Sequence, residues 1–187
     1  MRFDKLTTKL QQAIADGQSL AARHDNAYIE PVHVLAALLA DSDSGAGSLL
    51  SRAGVAVNRL TPAVETAIKA LPQIQGGDGN IQVSRDLQAV LTRTDKEAGK
   101  RGDAYIPTEL FLLALLDDKG QAGRALTEAG LQRKPLEAAI DAVRGGNAVT
   151  DQEGETKREA LAKYTTDLTE RARAGKLDPV IGRDDEI

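Results

Sequence analysis

The sequence has no cysteine, no tryptophan and only 3% aromatic residues among its 187 positions. Without cysteine it can form no disulfide and offers no thiolate for metal binding or catalysis, which is consistent with a reducing compartment. Hydrophobic residues still make up 41% and charged residues 28%, which is typical of a soluble globular protein. The core must therefore be built from aliphatic side chains.

Long apolar runs and a surplus of basic residues are also missing. The longest apolar run, residues 110–116 (LFLLALL), is far below the roughly 20 residues that span a bilayer. Residues 1–25 lack the apolar core of a secretory signal. The net charge is −4, whereas nucleic-acid binding rests on basic surfaces that neutralise phosphates. We therefore expect a cytoplasmic protein with neither a membrane nor a nucleic acid as its partner.

Motifs for catalysis, metal binding and phosphate binding are absent as well. His24 and His33 lie nine residues apart without a supporting cysteine, so we expect no metal site. Neighbouring carboxylates such as Asp117 and Asp118 do not face each other on a helix. Neither the nucleophile motif G-x-S-x-G nor the phosphate-binding motif G-x-x-x-x-G-K-[ST] occurs. We expect this chain to have no catalytic residues and no cofactor, and not to be an enzyme.

An internal repeat organises the chain. Residues 26–41 (NAYIEPVHVLAALLAD) recur as residues 103–117 (DAYIPTELFLLALLD), at an offset of 77 that becomes 76 because the second copy lacks one turn residue. Self-similarity of this kind indicates a duplicated structural unit. We expect repeat 1 over residues 6–71 and repeat 2 over residues 83–146.

Each copy reads as four helices. The first begins after Thr7 or Ser84, whose hydroxyl groups can accept a hydrogen bond from the free N–H groups of the first turn. Apolar residues follow at helical spacing. The second begins at Pro31 or Pro107, because the missing N–H costs nothing at the first helical position. It is apolar almost all round, so we expect it to be the central buried helix.

The third and fourth helices complete each copy. The third ends at Gly54 or Gly130, each suited to a left-handed cap. The fourth runs over about residues 59–70 or 135–143, and no stretch shows sustained β alternation. The sequence therefore predicts an all-α fold, a duplicated four-helix repeat that forms an eight-helix domain with pseudo-twofold symmetry over residues 1–146.

The end of the chain carries a resemblance to a known family. Residues 147–158 are small and polar, which predicts a flexible linker. Residues 160–169 (ALAKYTTDLT) and 175–187 (GKLDPVIGRDDEI) resemble the start of the first AAA+ module of Clp-type unfoldases. The doubled repeat resembles the Clp N-terminal domain. The K-Y-x-x-D-L-T segment and the opening M-R-F-D-K-L-T are most similar to the ClpB family of bacterial disaggregases.

The resemblance implies a function for the complete protein. ClpB-family proteins are homohexameric rings that use ATP and Mg and work with the DnaK system to extract polypeptides from aggregates. Their N-terminal domain recruits unfolded or aggregated substrate. Residues 159–187 would then begin a nucleotide-binding domain without its Walker A motif, and Val180 and Ile181 would contact adenine in the complete protein. An adaptor-docking domain of a Clp protease unfoldase and an ATPase fragment stay open as alternatives.

A groove between the two copies is the predicted substrate site, because a protein that binds unfolded chains needs exposed apolar surface. Its candidate walls are apolar residues of the two first helices and the start of the second helix of copy two. The alternative is that they form ordinary core. These residues are Leu10, Ala13, Ile14, Leu87, Val90, Leu91 and Leu110.

Four polar positions match residues that matter for substrate handling in the family, namely Thr7, Ser84, Asp103 and Glu109. Each also has a structural interpretation. The first two can cap helices, Asp103 can bond to its own turn, and Glu109 can complement a helix dipole in a first turn. Copy one has Asn26 and His33 at the places of the acidic pair. This asymmetry predicts that one end of the groove is electronegative.

Overall fold

The computed structural model describes residues 3–75, 80–158 and 160–161 of the chain. In this part the eight α-helices form two sets of four, preceded by a short 3₁₀ helix (Phe3–Lys5) and followed by a helical turn over residues 154–158. Copy one contains α1 (Thr8–Arg23), α2 (Pro31–Ala40), α3 (Ala46–Arg52) and α4 (Val57–Lys69). Copy two contains α5 (Arg85–Lys100), α6 (Thr108–Leu115), α7 (Gln121–Glu128) and α8 (Arg133–Arg144). The predicted duplicated all-α fold is confirmed.

The first helix of each copy begins at the predicted cap. The Thr7 hydroxyl oxygen accepts a hydrogen bond from the Leu10 N–H at 3.3 Å, and the Ser84 hydroxyl oxygen accepts one from the Leu87 N–H at 3.0 Å. Both caps satisfy a backbone donor that the helix itself leaves without a partner. The structure therefore confirms capping at both positions.

Proline and glycine set the next boundaries. Pro31 is the first residue of α2, whereas Pro107 is the N-cap of α6, so the second copy begins this helix one residue later than predicted. Gly54 and Gly130 follow α3 and α7 with φ angles of 93° and 102°. Only glycine adopts this conformation readily, because it has no Cβ atom. Both glycines therefore end the third helices as predicted.

Two short parallel pairings connect the copies. β1 (Tyr28–Ile29) pairs with β2 (Gln82–Val83), and Leu6 bridges to Ile106. In each case, the segment before the first helix of one copy lies beside the segment before the second helix of the other. No β alternation predicts these pairings, since they are too short to show a period. The pairings therefore join the two copies at two equivalent places.

One continuous core runs through both copies. Every residue of α6 is buried, including Phe111 and Leu112 with no exposed surface. The helix α2 is buried at seven positions. The two second helices are therefore central, as their apolar composition predicts.

Residues 147–158 differ from the predicted flexible linker, because they lie against the domain. The Val149 carbonyl accepts a hydrogen bond from the Ala104 N–H at 2.7 Å, and the Gln152 carbonyl accepts one from the Thr8 N–H at 3.1 Å. Glu155 is only 1% exposed. The composition is that of a linker, but a few well-placed residues dock the segment. We call residues 147–158 the strap.

The predicted start of an AAA+ module falls almost entirely outside the described residues. Val180 and Ile181, the predicted adenine contacts, are also outside them. None of the helices in the described part of the chain combines the length and apolar character needed to cross a bilayer.

Candidate functional site

The apolar residues predicted to wall a groove belong to the core. The stripes on α1 and α5 pack against the second helix of their own copy, so they do not face an open groove. A binding role for these side chains stays a prediction. Their exposed fractions lie between 0 and 6% for Leu10, Ala13, Ile14, Leu87, Val90, Leu91 and Leu110.

A buried ion cluster lies where the strap meets copy two. Arg144 donates from Nη1 and Nη2 to both carboxylate oxygens of Asp103, at 2.9 and 2.7 Å. Its Nε donates to Glu109 Oε2 at 2.8 Å, and Arg158 Nη2 donates to Glu109 Oε1 at 2.8 Å. The Asp103 and Glu109 side chains are 0% and 4% exposed. Two arginines therefore neutralise the two carboxylates.

This cluster corrects two expectations from the sequence. The groove end is not electronegative, since Arg144 and Arg158 compensate the acidic pair. Asp103 also does not bond to its own turn, because its carboxylate accepts a hydrogen bond from the Val149 N–H of the strap at 2.9 Å. Burial alone would lower the pKa of Arg144, but the hydrogen bonds and charges of Asp103 and Glu109 raise it. The arginine therefore stays charged inside the domain.

Glu155 fastens the strap to both copies. Its Oε1 accepts hydrogen bonds from the Thr7 hydroxyl at 2.5 Å and from the Thr108 N–H at 2.9 Å, and its Oε2 accepts one from the Thr108 hydroxyl. Burial, together with the negative charge of Glu109, raises the pKa of the Glu155 carboxyl to about 6. The hydrogen bonds from Thr108 and Thr7 act in the opposite direction. Thr7 is thus both a helix cap and a strap contact.

Copy one uses a neutral pair at the places of Asp103 and Glu109. His33 Nδ1 accepts a hydrogen bond from the Glu30 N–H at 2.8 Å, which assigns the ring proton to Nε2 and its hydrogen bond, at 2.9 Å, to Asn26 Oδ1. Burial, with a smaller contribution from the charge of His24, lowers the pKa of His33 to about 4. Within residues 3–75, 80–158 and 160–161, no group of His, Asp and Glu is placed to hold a metal.

A cavity of about 380 Å³ opens at the seam between the copies. Its floor is apolar and contains Leu49 of α3, Leu112 of α6 and Ile140 of α8. Ser48 of copy one and Glu109 of copy two also line it. The repeat predicts a groove at this seam, but of the predicted substrate residues only Glu109 lines it. The sequence could not single out Leu112 or Ile140, because a leucine or isoleucine beneath a cavity follows the same pattern as any other core residue.

A second cavity, of about 250 Å³, lies within copy one between α1, α2 and α4. Its apolar lining includes Leu20, Ala36, Leu39, Ala40 and Ile68. We call it the copy-one groove. The linings of both cavities combine apolar side chains with charged ones.

Sequence comparison relates this chain to chaperones. The family model of the Clp repeat (R) N-terminal domain matches residues 5–129. Over all 187 residues, the chain is 48% identical to the chaperone protein ClpB of Pseudomonas putida and of Vibrio cholerae. Over 190 aligned residues, it is 40% identical to that of Bacillus cereus. It spans 22% of the length of these relatives.

Solved N-terminal domains share the fold. That of Hsp104 from Candida albicans has a TM-score of 0.71 at 23% identity, over 80% of this chain and 98% of that chain. A ClpV N-domain in complex with a VipB peptide has a TM-score of 0.61 at 21% identity, over 79% of this chain and 91% of that chain. The family match and the identity to the ClpB relatives together show that the chain belongs to the Clp repeat N-terminal domain family, in the form found in ClpB-type chaperones.

Proposed function

We propose that this chain is the substrate-recruiting domain of a ClpB-type disaggregase and binds apolar segments of unfolded or aggregated proteins. The observation that carries the proposal is the cavity between the copies, whose lining includes Ala142 and Val143, which solvent reaches, beside buried residues such as Leu112. Apolar surface that solvent can reach is the feature that a binder of unfolded chains requires. The peptide held by the ClpV N-domain supports peptide binding by this fold. We assign the chain no catalytic role.

The complete protein sets the context of this binding. We expect a cytoplasmic homohexamer that uses ATP and Mg and cooperates with the DnaK system. Several recruiting domains on one ring would each bind an apolar segment weakly. Their combined binding would be much tighter, because the second contact is made at a high effective concentration.

A lysine at Ser48 tests the proposed site. Ser48 is exposed on α3 and lines the cavity between the copies, whereas Ser51 is exposed on the same helix and does not line it. Ser48→Lys places a charge beside the apolar floor. We expect the Kd for a fluorescent, permanently unfolded apolar polypeptide to rise about tenfold, which corresponds to about 1.4 kcal/mol. Fluorescence anisotropy measures the binding.

The control variant is Ser51→Lys, which should bind the probe as the unmodified chain does. Circular dichroism establishes that both variants keep their helices. Equal affinity in both folded variants would contradict binding at this cavity. Binding of a folded adaptor protein, with no binding of the unfolded probe, would favour the adaptor-docking alternative.

A further inference from the structure

The two copies differ at one equivalent place, where the first helix of each copy ends beside the fourth. In copy two, three ion pairs tie α5 to α8. Arg101 lies 3.5 Å from both Glu137 and Asp141, and Arg133 lies 2.6 Å from Glu97. Arg101 is the C-cap of α5, so its side chain extends from the end of that helix across to α8. Copy two therefore covers this place with its own arginine.

Copy one has no arginine at the equivalent position. His24 is the C-cap of α1 and stands at the repeat position of Arg101, while Leu20 stands at the position of Glu97. Ala36 and Ala40 stand where copy two has Leu112 and Leu116, at the offset of 76. The smaller side chains and the shorter cap leave the copy-one groove open.

The acidic partner of the missing arginine is retained. Glu65 stands at the repeat position of Asp141, which pairs with Arg101 in copy two, and it is exposed on the rim of the copy-one groove. Lys69 lies on the same rim one helical turn later. The rim thus keeps a carboxylate at the repeat position where, in copy two, Asp141 pairs with the Arg101 guanidinium.

We propose that the copy-one groove is a second docking surface, which binds an apolar segment carrying an arginine or lysine from another polypeptide. The apolar side chain lies over Ala36, Leu39 and Ala40, and the basic group pairs with Glu65 as Arg101 pairs with Asp141. Copy two supplies the template for this arrangement within the same molecule. The surface is separate from the cavity between the copies, so the proposal does not depend on the recruiting function.

Reversing the rim charges tests this surface. The probe is a short labelled peptide with two leucines and one arginine, and the matched peptide has glutamate in place of the arginine. We expect Glu65→Lys to weaken binding of the arginine peptide about threefold, the size of an exposed ion pair, and to favour the glutamate peptide. Lys69→Glu should have the opposite effect on both peptides. Glu128→Lys, at an exposed position on α7 away from the groove, is the control.

Amide chemical shifts identify the site. The arginine peptide should shift the amide signals of Leu20, Ala36 and Ala40. Unchanged affinity in Glu65→Lys, or shifts confined to the cavity between the copies, would overturn the proposal. So would a dimer of the chain that dissociates on Glu65→Lys, since the occupant would then be a second copy. In the Ser48→Lys variant the peptide should still shift the signals of Leu20, Ala36 and Ala40, so failure of this surface and failure of the recruiting function give different results.

Discussion

At the residue scale, the acidic pair of copy two connects α6, α8 and the strap through buried ion pairs and hydrogen bonds. Asp103 receives hydrogen bonds from Arg144 and from the strap, and Glu109 receives them from Arg144 and Arg158. A buried ion pair adds little net stability, but removal of one partner is costly because it leaves an uncompensated charge. Substitutions of this pair should therefore disturb strap docking and stability.

Glu155→Gln should change how the stability of the chain depends on pH. The folded-state pKa of Glu155, about 6, lies above its ordinary value of 4.5, so between these pH values the folded chain binds the proton more tightly than the unfolded chain. Its contribution is complete below pH 4.5 and is lost as pH rises through 6, by roughly 2 kcal/mol. Glutamine does not titrate. The free energy of unfolding of the variant should therefore gain about this amount relative to the unmodified chain between pH 4.5 and 7.

Urea titrations at both pH values measure this difference. His33 titrates with the opposite sign, because its pKa is lowered, but its effect is common to both proteins and cancels. Glu153→Gln is the control, since Glu153 is exposed on the same strap. If Glu155→Gln and the unmodified chain keep a constant difference across this range, the carboxyl does not titrate as its burial requires.

At the element scale, α3 and α7 are equivalent helices in different surroundings. Gly47 and Gly123 occupy the same repeat position, at the offset of 76. A Cβ atom at Gly47 would meet nothing within 4 Å, whereas one at Gly123 would lie 2.0 Å from the Asp118 carbonyl oxygen and 2.7 Å from that of Leu115. The helix α7 therefore approaches the end of α6 so closely that only glycine fits.

Alanine at these two positions should act in opposite directions. Gly47→Ala should raise the free energy of unfolding by about 0.5–1 kcal/mol, because alanine loses less backbone freedom in a helix. Gly123→Ala should lower it by about 1–3 kcal/mol or more, because the backbone has to move. Thermal or urea unfolding measures both. A stabilising Gly123→Ala would show that α7 can shift away from α6 without cost.

The positions of the helices were easier to predict from this sequence than the contacts between them. Caps such as Thr7 and Ser84 and the terminating glycines determine local backbone geometry, so the helices could be located. The strap could not be predicted, because its docking depends on distant partners such as Asp103 and Thr108, which no local pattern links to it. The residues that line the cavities could not be predicted for a related reason. The repeat predicts a seam, but which core side chains leave space there depends on packing between helices.

At the scale of the whole molecule, the two copies are interlocked and should not fold independently. The Ile106 N–H donates to the Lys5 carbonyl at 2.8 Å, and the Ser84 N–H donates to the Ile29 carbonyl at 3.1 Å. Each bond joins one copy to the other, and the core is shared. A domain below roughly 70–80 residues also rarely has a sufficient core of its own. We therefore expect the two similar halves to unfold as one cooperative unit.

Leu10→Ala and Leu87→Ala test this cooperativity at equivalent positions, one in each copy, both with no exposed surface. Each should cost about 2–5 kcal/mol, the usual range for a buried leucine. Because the copies share their core and both pairings, each variant should accelerate hydrogen exchange at the Ser84 and Ile106 amides alike. Exchange that accelerates only at amides bonded within copy one in Leu10→Ala, and only within copy two in Leu87→Ala, would show that the halves open separately. In that case the seam would be a contact between two domains, and the cavity between the copies could widen without unfolding either half.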